Sequence, residues 1–415
     1  TMAEFLKSNG YVTCGLCNSV YVSSFSGLDR GFDVFYDYRF FDRSRARASP
    51  FYNLYKKISK MNKQSKSSKA KKEGFLQKFE ESTIYKRLFW FLTRNLRGQA
   101  EFINTMLIRL IQRNRKEPFF MFAHYPETHS PYVLPQPYRD KYLTNQMKRK
   151  KPWEVNQDWL KYFLGVVKMD ELDFSILEAL YDGAINYLDE RIYEIYSFLD
   201  KEQLLDDTML IITSDHGDNL GEHNMMFHWW CLYDTLIKIP LIIKYPEDFN
   251  LCGEENNVVQ NVDLLPTIMD IIDAKGENLY DQIQGNSLFS GNIRKRSGSY
   301  GISELMKPFG PSIKNLSTRF EKYNRRLISI RSKEKKYIWA SDGRDEFYDL
   351  ESDPSESRNL VNSNDPLLTE LKEKLKAWLE PFQETYRRNK EEINGMKEME
   401  FTIEIKERLR KLGYL

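Results

Sequence analysis

Residues 206–246 read DDTMLIITSDHGDNLGEHNMMFHWWCLYDTLIKIPLIIKYP. An apolar run from Met209 to Thr213 has the look of a buried strand, and it leads directly into Ser214-Asp215-His216-Gly217. Glu222, His223 and His228 follow before a second apolar strand begins near Ile239. Polar residues crowded just past a strand describe a site at the carboxyl end of a sheet, where open α/β sheets hold their ligands. The chain has 5 histidines, and three of them (His216, His223 and His228) lie in this stretch. The other two, His124 and His129, share FFMFAHYPETHSPY, and with no histidine elsewhere the two stretches are expected to meet in space.

Upstream of this stretch, residues 2–9 place Met2, Phe5 and Leu6 on one helical face, with Gly10 as a C-terminal stop before the strand Tyr11 to Cys14. Residues 26–37 read as a glycine-punctuated loop with aromatic anchors, and Lys56 to Lys72 as a solvated, lysine-rich insertion. Phe102, Ile103, Met106, Leu107, Leu110 and Ile111 line one side of a helix over 100–115. Pro118 to Ala123 suits a strand buried on both faces. Residues 133–170 are expected to form loops and short helices, and Leu172 to Leu199 a long helix. Helix then strand, twice over, indicates a mostly parallel α/β sheet.

Downstream, Asp263 to Asp270 reads as a helix start with Pro266 in its first turn. The glycine-rich and polar residues 276–297 place a boundary there, giving an α/β domain over 1–295 and a smaller α+β subdomain over 296–415. In the latter, Leu327–Arg331, Lys335–Ala340 and Glu346–Leu350 are expected to form an antiparallel sheet, and Leu367 to Leu379 and Phe401 to Leu412 helices.

Composition narrows the partners. Lys+Arg 62 against Asp+Glu 60 leaves a net charge of +2, without the basic footprint of a dedicated nucleic-acid binder. No apolar run is long enough for a membrane span. Cys14, Cys17, Cys231 and Cys252 are too few for a disulfide framework, which favours a reducing compartment such as the cytoplasm. Cys14-Gly-Leu-Cys17 has redox spacing, but its place on a strand favours structural thiols. Composition leaves the oligomeric state open.

Asp215 and His216 are compact ligands able to hold a divalent cation over a sheet edge; the plain alternative is a helix cap followed by a packed histidine. His124 suits a satisfied core histidine. His129, in a proline-flanked loop, is better placed for ligand contact. His228, beside Trp229 and Trp230, could present its ring to an anion, and for His223 both readings stand. Asp218 and Glu222 read as loop carboxylates that cap helices or orient the histidines. A cation with nearby imidazoles suits a tetrahedral oxyanion, sulfate or phosphate, and His129 or His228 could protonate a leaving alcohol.

Thr213-Ser-Asp-His-Gly-Asp-Asn-Leu-Gly-Glu-His223, followed by Leu232-Tyr-Asp and Ile239-Pro-Leu-Ile-Ile243, resembles the signature of the sulfatases within the alkaline phosphatase superfamily. His124-Tyr-Pro-Glu-Thr-His-Ser-Pro-Tyr132 is similar to that family's H-Y-x-x-P-H-x-P-Y loop, with Glu-Thr in place of Asp-Pro. Asp263-Leu-Leu-Pro-Thr267, Gln284-Gly-Asn-Ser-Leu288 and Phe347 to Leu360 resemble further family segments, and Arg408 to Leu415 a common terminus. The resemblance implies an alkaline phosphatase-like α/β fold, with a large, mostly parallel mixed sheet flanked by helices and a smaller C-terminal antiparallel sheet plus helix, and hydrolysis of a small-molecule or saccharide sulfate ester. It implies Asp215 and His216 as metal ligands, with calcium, magnesium or manganese as the cation. His129 and His228 would contact the sulfate or leaving group, with His223, His124 and Asn219 touching substrate or standing beside the site. The C/S-x-P-x-R segment that carries the family's formylglycine nucleophile, and the strand with two further aspartates, do not occur in the 415 residues. Both are expected to precede Thr1. A phosphodiesterase or phosphonate monoester hydrolase, and a catalytically inactive binding protein, are the alternatives.

Overall fold

The computed structural model describes residues 1–19, 21–24, 26–37, 99–273, 283–289, 300–306 and 322–382. They group into two compact units, one ending at Asp207 and the next starting at Thr208. The lysine-rich insertion, most of 276–297 and the helix expected over Phe401 to Leu412 lie outside the described residues. Among the described residues no helix is long and apolar enough to cross a membrane.

The first unit begins with α1 (Met2–Ser8), which buries Ala3 and Leu6. Its end forms a Schellman turn, in which Tyr11 N–H reaches Leu6 O and Gly10 N–H reaches Lys7 O, both at 3.1 Å. Gly10 sits at φ +84°, a left-handed conformation that costs a side chain-bearing residue, and the chain turns there into β1 (Val12–Cys17). β1 is the middle strand of a parallel sheet ordered β2–β1–β3, with β2 at Val34–Tyr36 and β3 at Phe119–His124. Cys14 and Leu16 of β1 pack against Ile103, Leu107, Leu110 and Ile111 of α2 (Gln99–Asn114) and against Ile195 and Leu199 of α3 (Glu171–Lys201).

β3 departs from the sequence reading. Among the described residues it lies at an edge of this sheet, its residues are mostly half-buried rather than covered on both faces, and Phe122 is exposed. The continuous apolar run reported parallel pairing correctly but overstated burial. Asp170 caps α3 in a capping box with Asp173, and Lys150 Nζ joins both carboxylates at 2.6 and 3.0 Å. Cys14 and Cys17 are buried, three residues apart on one strand and therefore on opposite faces.

In the second unit β4 (Leu210–Thr213) pairs with β7 (Leu241–Lys244), two short strands β5 (Asn219–Leu220) and β6 (Met226–Phe227) form a hairpin, and α4 (Asp234–Ile237) follows them. β4 and β7 run antiparallel, so the two strands that bracket the opening stretch are the mixed component of the architecture. α5 (Leu264–Ile271) starts at buried Asp263, whose carboxylate accepts the Gln260 and Asn286 N–H groups at 2.9 and 2.8 Å. Thr267 Oγ1 accepts Leu288 N–H at 2.8 Å, so the D-L-L-P-T and Q-G-N-S-L segments are stitched to each other.

The second unit also holds a four-stranded antiparallel sheet ordered β11–β10–β9–β8: β8 Gly301–Leu305, β9 Leu327–Arg331, β10 Lys335–Ala340 and β11 Glu346–Asp349. Leu368, Leu371 and Leu375 of α6 (Pro366–Leu379) pack onto Ile328, Ile330, Tyr337 and Phe347. The α/β class and the C-terminal antiparallel sheet with its helix are as the sequence indicated; β8 is the strand it did not reveal.

Beyond β11, Asp353 fastens a turn by accepting Ser357 N–H at 3.1 Å and Arg358 N–H at 2.8 Å. Burial pushes its pKa up, but these donors and the Ser357 and Ser355 hydroxyls outweigh it and hold the carboxyl at about 2, below its usual 3.8. A folded value below the unfolded one means a contribution fully present above the unfolded pKa and lost as the pH falls toward 2. Asp353→Asn is therefore expected to flatten the acid limb of stability against pH. Urea unfolding of both proteins between about pH 2 and 7 checks it, and parallel curves would refute it.

Candidate metal and anion site

β4 delivers the chain to Ser214, whose carbonyl oxygen accepts Asn261 Nδ2 at 3.2 Å. Asp215 follows with its side chain 76% exposed, and its Oδ1 accepts the His216 N–H at 3.0 Å. His216 places Nδ1 2.8 Å from Gly217 O, a geometry that puts the ring proton on Nδ1. The Nε2 lone pair then lies 3.7 Å from Asp215 Oδ2. A carboxylate oxygen and an imidazole nitrogen, both electron donors, face each other with the imidazole oriented by a backbone carbonyl. That is the donor chemistry of half a divalent-cation site. Among the described residues no group of three or more His, Cys, Asp or Glu side chains gathers closely enough to hold a metal.

The hairpin brings His228 back to this point. Its ring centroid lies 4.1 Å from that of His216, and its Nδ1 is 3.1 Å from Asp218 Oδ1. The His228 and Asp218 side chains are only 7% and 5% exposed. Burial pushes the His228 pKa down, opposed by Asp218, which favours the imidazolium, and reinforced by His216; the net shift is downward. Phe227 stacks on His228 at 3.7 Å. Asp218 is thus the partner that orients His228, the second of the roles the sequence allowed it.

The backbone that carries these groups is unusual. His223, Asn224, Phe227 and Trp230 all have positive φ (53°, 56°, 72° and 68°), a concentration of left-handed residues typical of functional loops. Asn219 holds the loop from inside. It is fully buried, donates Nδ2 to Phe227 O at 2.8 Å, and accepts Thr235 Oγ1 at 2.7 Å. His223 turns to Tyr233, its ring stacked at 3.7 Å, and burial lowers its pKa.

Gly217 N–H donates to Leu236 O at 2.8 Å, which ties the loop to α4. A Cβ on Gly217 would lie 2.1 Å from Thr235 O, a backbone atom that cannot swing aside. Gly217→Ala is expected to cost about 1–3 kcal/mol, the usual range for overpacking, and to displace Asp215 and His216. Chemical denaturation measures the first; a wild-type curve for the variant would show that the loop yields freely.

The remaining two histidines belong to the first unit. His124 ends β3, half-buried. His129 closes a turn in which its N–H reaches Pro126 O at 3.0 Å and its Nδ1 lies 2.6 Å from Ser130 O. Glu127 accepts Ala100 N–H at 2.6 Å and so caps the first turn of α2.

Comparison with known proteins bears on the family and the fold. Residues 1–274 match the family described as Sulfatase, and residues 221–385 match that described as N-sulphoglucosamine sulphohydrolase, C-terminal. An arylsulfatase of Clostridium perfringens (strain 13 / Type A) is 26% identical over 294 residues, 66% of this chain and 56% of that protein. A choline-sulfatase of Rhizobium meliloti (strain 1021) is 25% identical over 286 residues, 63% of this chain and 50% of that protein. Among solved structures, the phosphonate monoester hydrolase of Agrobacterium radiobacter superposes with a TM-score of 0.64 at 17% identity, over 91% of this chain and 79% of that one, a likeness of fold. The chain spans about half the length of the curated relatives it matches.

Proposed function

The chain belongs to the sulfatase family, and from that premise we propose that the protein hydrolyses a sulfuric ester of a small molecule or saccharide. The observation that carries the proposal is the meeting of Asp215, His216 and the Asp218-oriented His228 at one loop.

In this reading Asp215 and His216 would help to hold a divalent cation, calcium first among the candidates. That cation would neutralise charge on the ester, and a formylglycine, as in the family, would supply the nucleophile. His228 faces the ester oxygens with Nε2, its Nδ1 fixed by Asp218, and passes a proton toward the leaving oxygen. The approach of an anion favours the charged imidazole and so offsets the burial that otherwise keeps it neutral. His223 and Asn219 shape the loop. Relatives named arylsulfatase, choline-sulfatase and N-acetylglucosamine-6-O-sulfatase support a sulfate ester as the substrate class.

A second reading, cleavage of phosphodiesters or phosphonate monoesters, is kept by the histidine at position 228, where many sulfatases carry lysine, and by the fold likeness above. The test is a panel of aryl, alkyl and sugar sulfates set against phosphodiesters and phosphonate monoesters, assayed on protein expressed from its complete gene. Sulfate release with calcium supports the first reading; turnover confined to phosphorus esters replaces it, and no turnover of either class removes both.

A further inference from the structure

Four charged side chains of the second unit meet behind the Asp215–His216 loop. Lys336 of β10 is completely buried, with Nζ 2.7 Å from Asp234 Oδ1 and 2.5 Å from Glu356 Oε1, the latter an ionic contact without hydrogen-bond alignment. Arg331 of β9 holds the same aspartate through Nε at 3.2 Å and Nη2 at 3.0 Å. Glu356, 2% exposed and held at φ +54°, accepts the Asp234 N–H on Oε2 at 2.6 Å. The two cations and two anions cancel, and together they grip the first residue of α4 by both side chain and backbone.

α4 is only four residues long and cannot persist on its own hydrogen bonds. Yet the loop that carries the site is pinned to it. Gly217, next to His216, donates to Leu236 O; Thr235 donates to Asn219, and Asn219 holds Phe227, next to His228. One arm of the site therefore leads to the helix through Gly217 and the other through Phe227 and Asn219, and the ion cluster grips the first residue of that helix. Burying charges such as those of Lys336 and Glu356 is a poor way to gain stability compared with apolar packing, whereas it fixes geometry tightly.

We propose that Glu356 and Lys336, acting through Asp234 and α4, are positioning residues for Asp215, His216 and His228. The inference rests on the reading of those three as the site, but its test does not need turnover. Amide hydrogen exchange on the intact protein reads the Gly217 N–H directly against the Ile330 and Ile338 amides of the sheet. Glu356→Gln is expected to speed exchange at Gly217 by about tenfold or more while Ile330 and Ile338 change little, as for a local opening. Lys336→Arg, which keeps the charge, is expected to hold Gly217 near its wild-type rate. Should Glu356→Gln not fold, Glu356→Asp, with the charge kept and the reach shortened, reads the same amide.

Where a sulfate ester is turned over, Glu356→Gln is expected to lower kcat by about 10–100-fold, the range for residues that orient metal ligands, with KM nearly unchanged. Unchanged Gly217 exchange, or uniform acceleration at all three amides, overturns the proposal. Absence of turnover with selective loosening at Gly217 instead overturns the sulfatase reading and leaves the mechanical coupling standing.

Discussion

His228→Ala is expected to lower the turnover of an alkyl sulfate by about 10²–10⁴-fold, the span associated with loss of a general acid. The same change should cost far less with a nitrophenyl sulfate, whose leaving group departs as a stable anion. Nδ1 is committed to Asp218 at 3.1 Å, the ring is clamped between Phe227 and His216, and the side chain is almost fully buried, so Nε2 has a fixed direction. A proton held in a fixed direction matters in proportion to the basicity of the departing oxygen. Asp218→Asn, which keeps the shape but removes the charge, should reproduce part of the alkyl-specific loss. Steady-state rates with a series of leaving groups check this. Equal losses across the series would mean that His228 binds the anion and moves no proton.

The largest stability effect is expected at Lys336. Lys336→Met leaves Glu356 buried without its cation, while Asp234 keeps the two-point grip of Arg331. Removal of one partner from a buried pair costs about 3–5 kcal/mol. Burial already pushes the Glu356 pKa up, so in the variant this carboxyl escapes part of the cost by taking up a proton. The penalty falls on the charged form, so the loss should shrink as the pH is lowered and grow as it is raised. A second substitution should help: Lys336→Met with Glu356→Met removes the stranded charge and is expected to be more stable than Lys336→Met alone. Denaturant unfolding of the two variants at two pH values checks both statements. A double variant weaker than the single one would show that Glu356 contributes mainly through its bond to the Asp234 N–H.

Much of the frame was legible because it is written in short-range pattern. β9 and β10 run over the same residues that alternation and turn chemistry indicated, and α3 spans the long apolar period. Gly10 stops α1 because only a left-handed residue closes a Schellman turn. The conspicuous histidines marked the loop, since Asp215 and His216 are neighbours in sequence and His228 returns through a short hairpin. What stayed hidden depends on distance along the chain. Asp234 meets Lys336 across 102 residues and Glu356 across 122, and no local periodicity encodes such a meeting. The antiparallel pairing of β4 with β7 was hidden for another reason. An apolar run tells of burial but not of strand direction, which the intervening chain decides.

The left-handed residues between Gly221 and Trp230 carry a practical lesson for anyone who would move this loop. His223, Asn224, Phe227 and Trp230 each hold a backbone conformation that costs on the order of 1 kcal/mol or more when nothing enforces it. Copied alone into a foreign scaffold, the hairpin would relax into cheaper conformations, and its histidines would point elsewhere. The portable unit is larger: the hairpin, the asparagine at its centre and the helix beneath it, together with the charges from two distant strands and a turn. Chemistry that looks like a motif of a few letters is inherited here as a block.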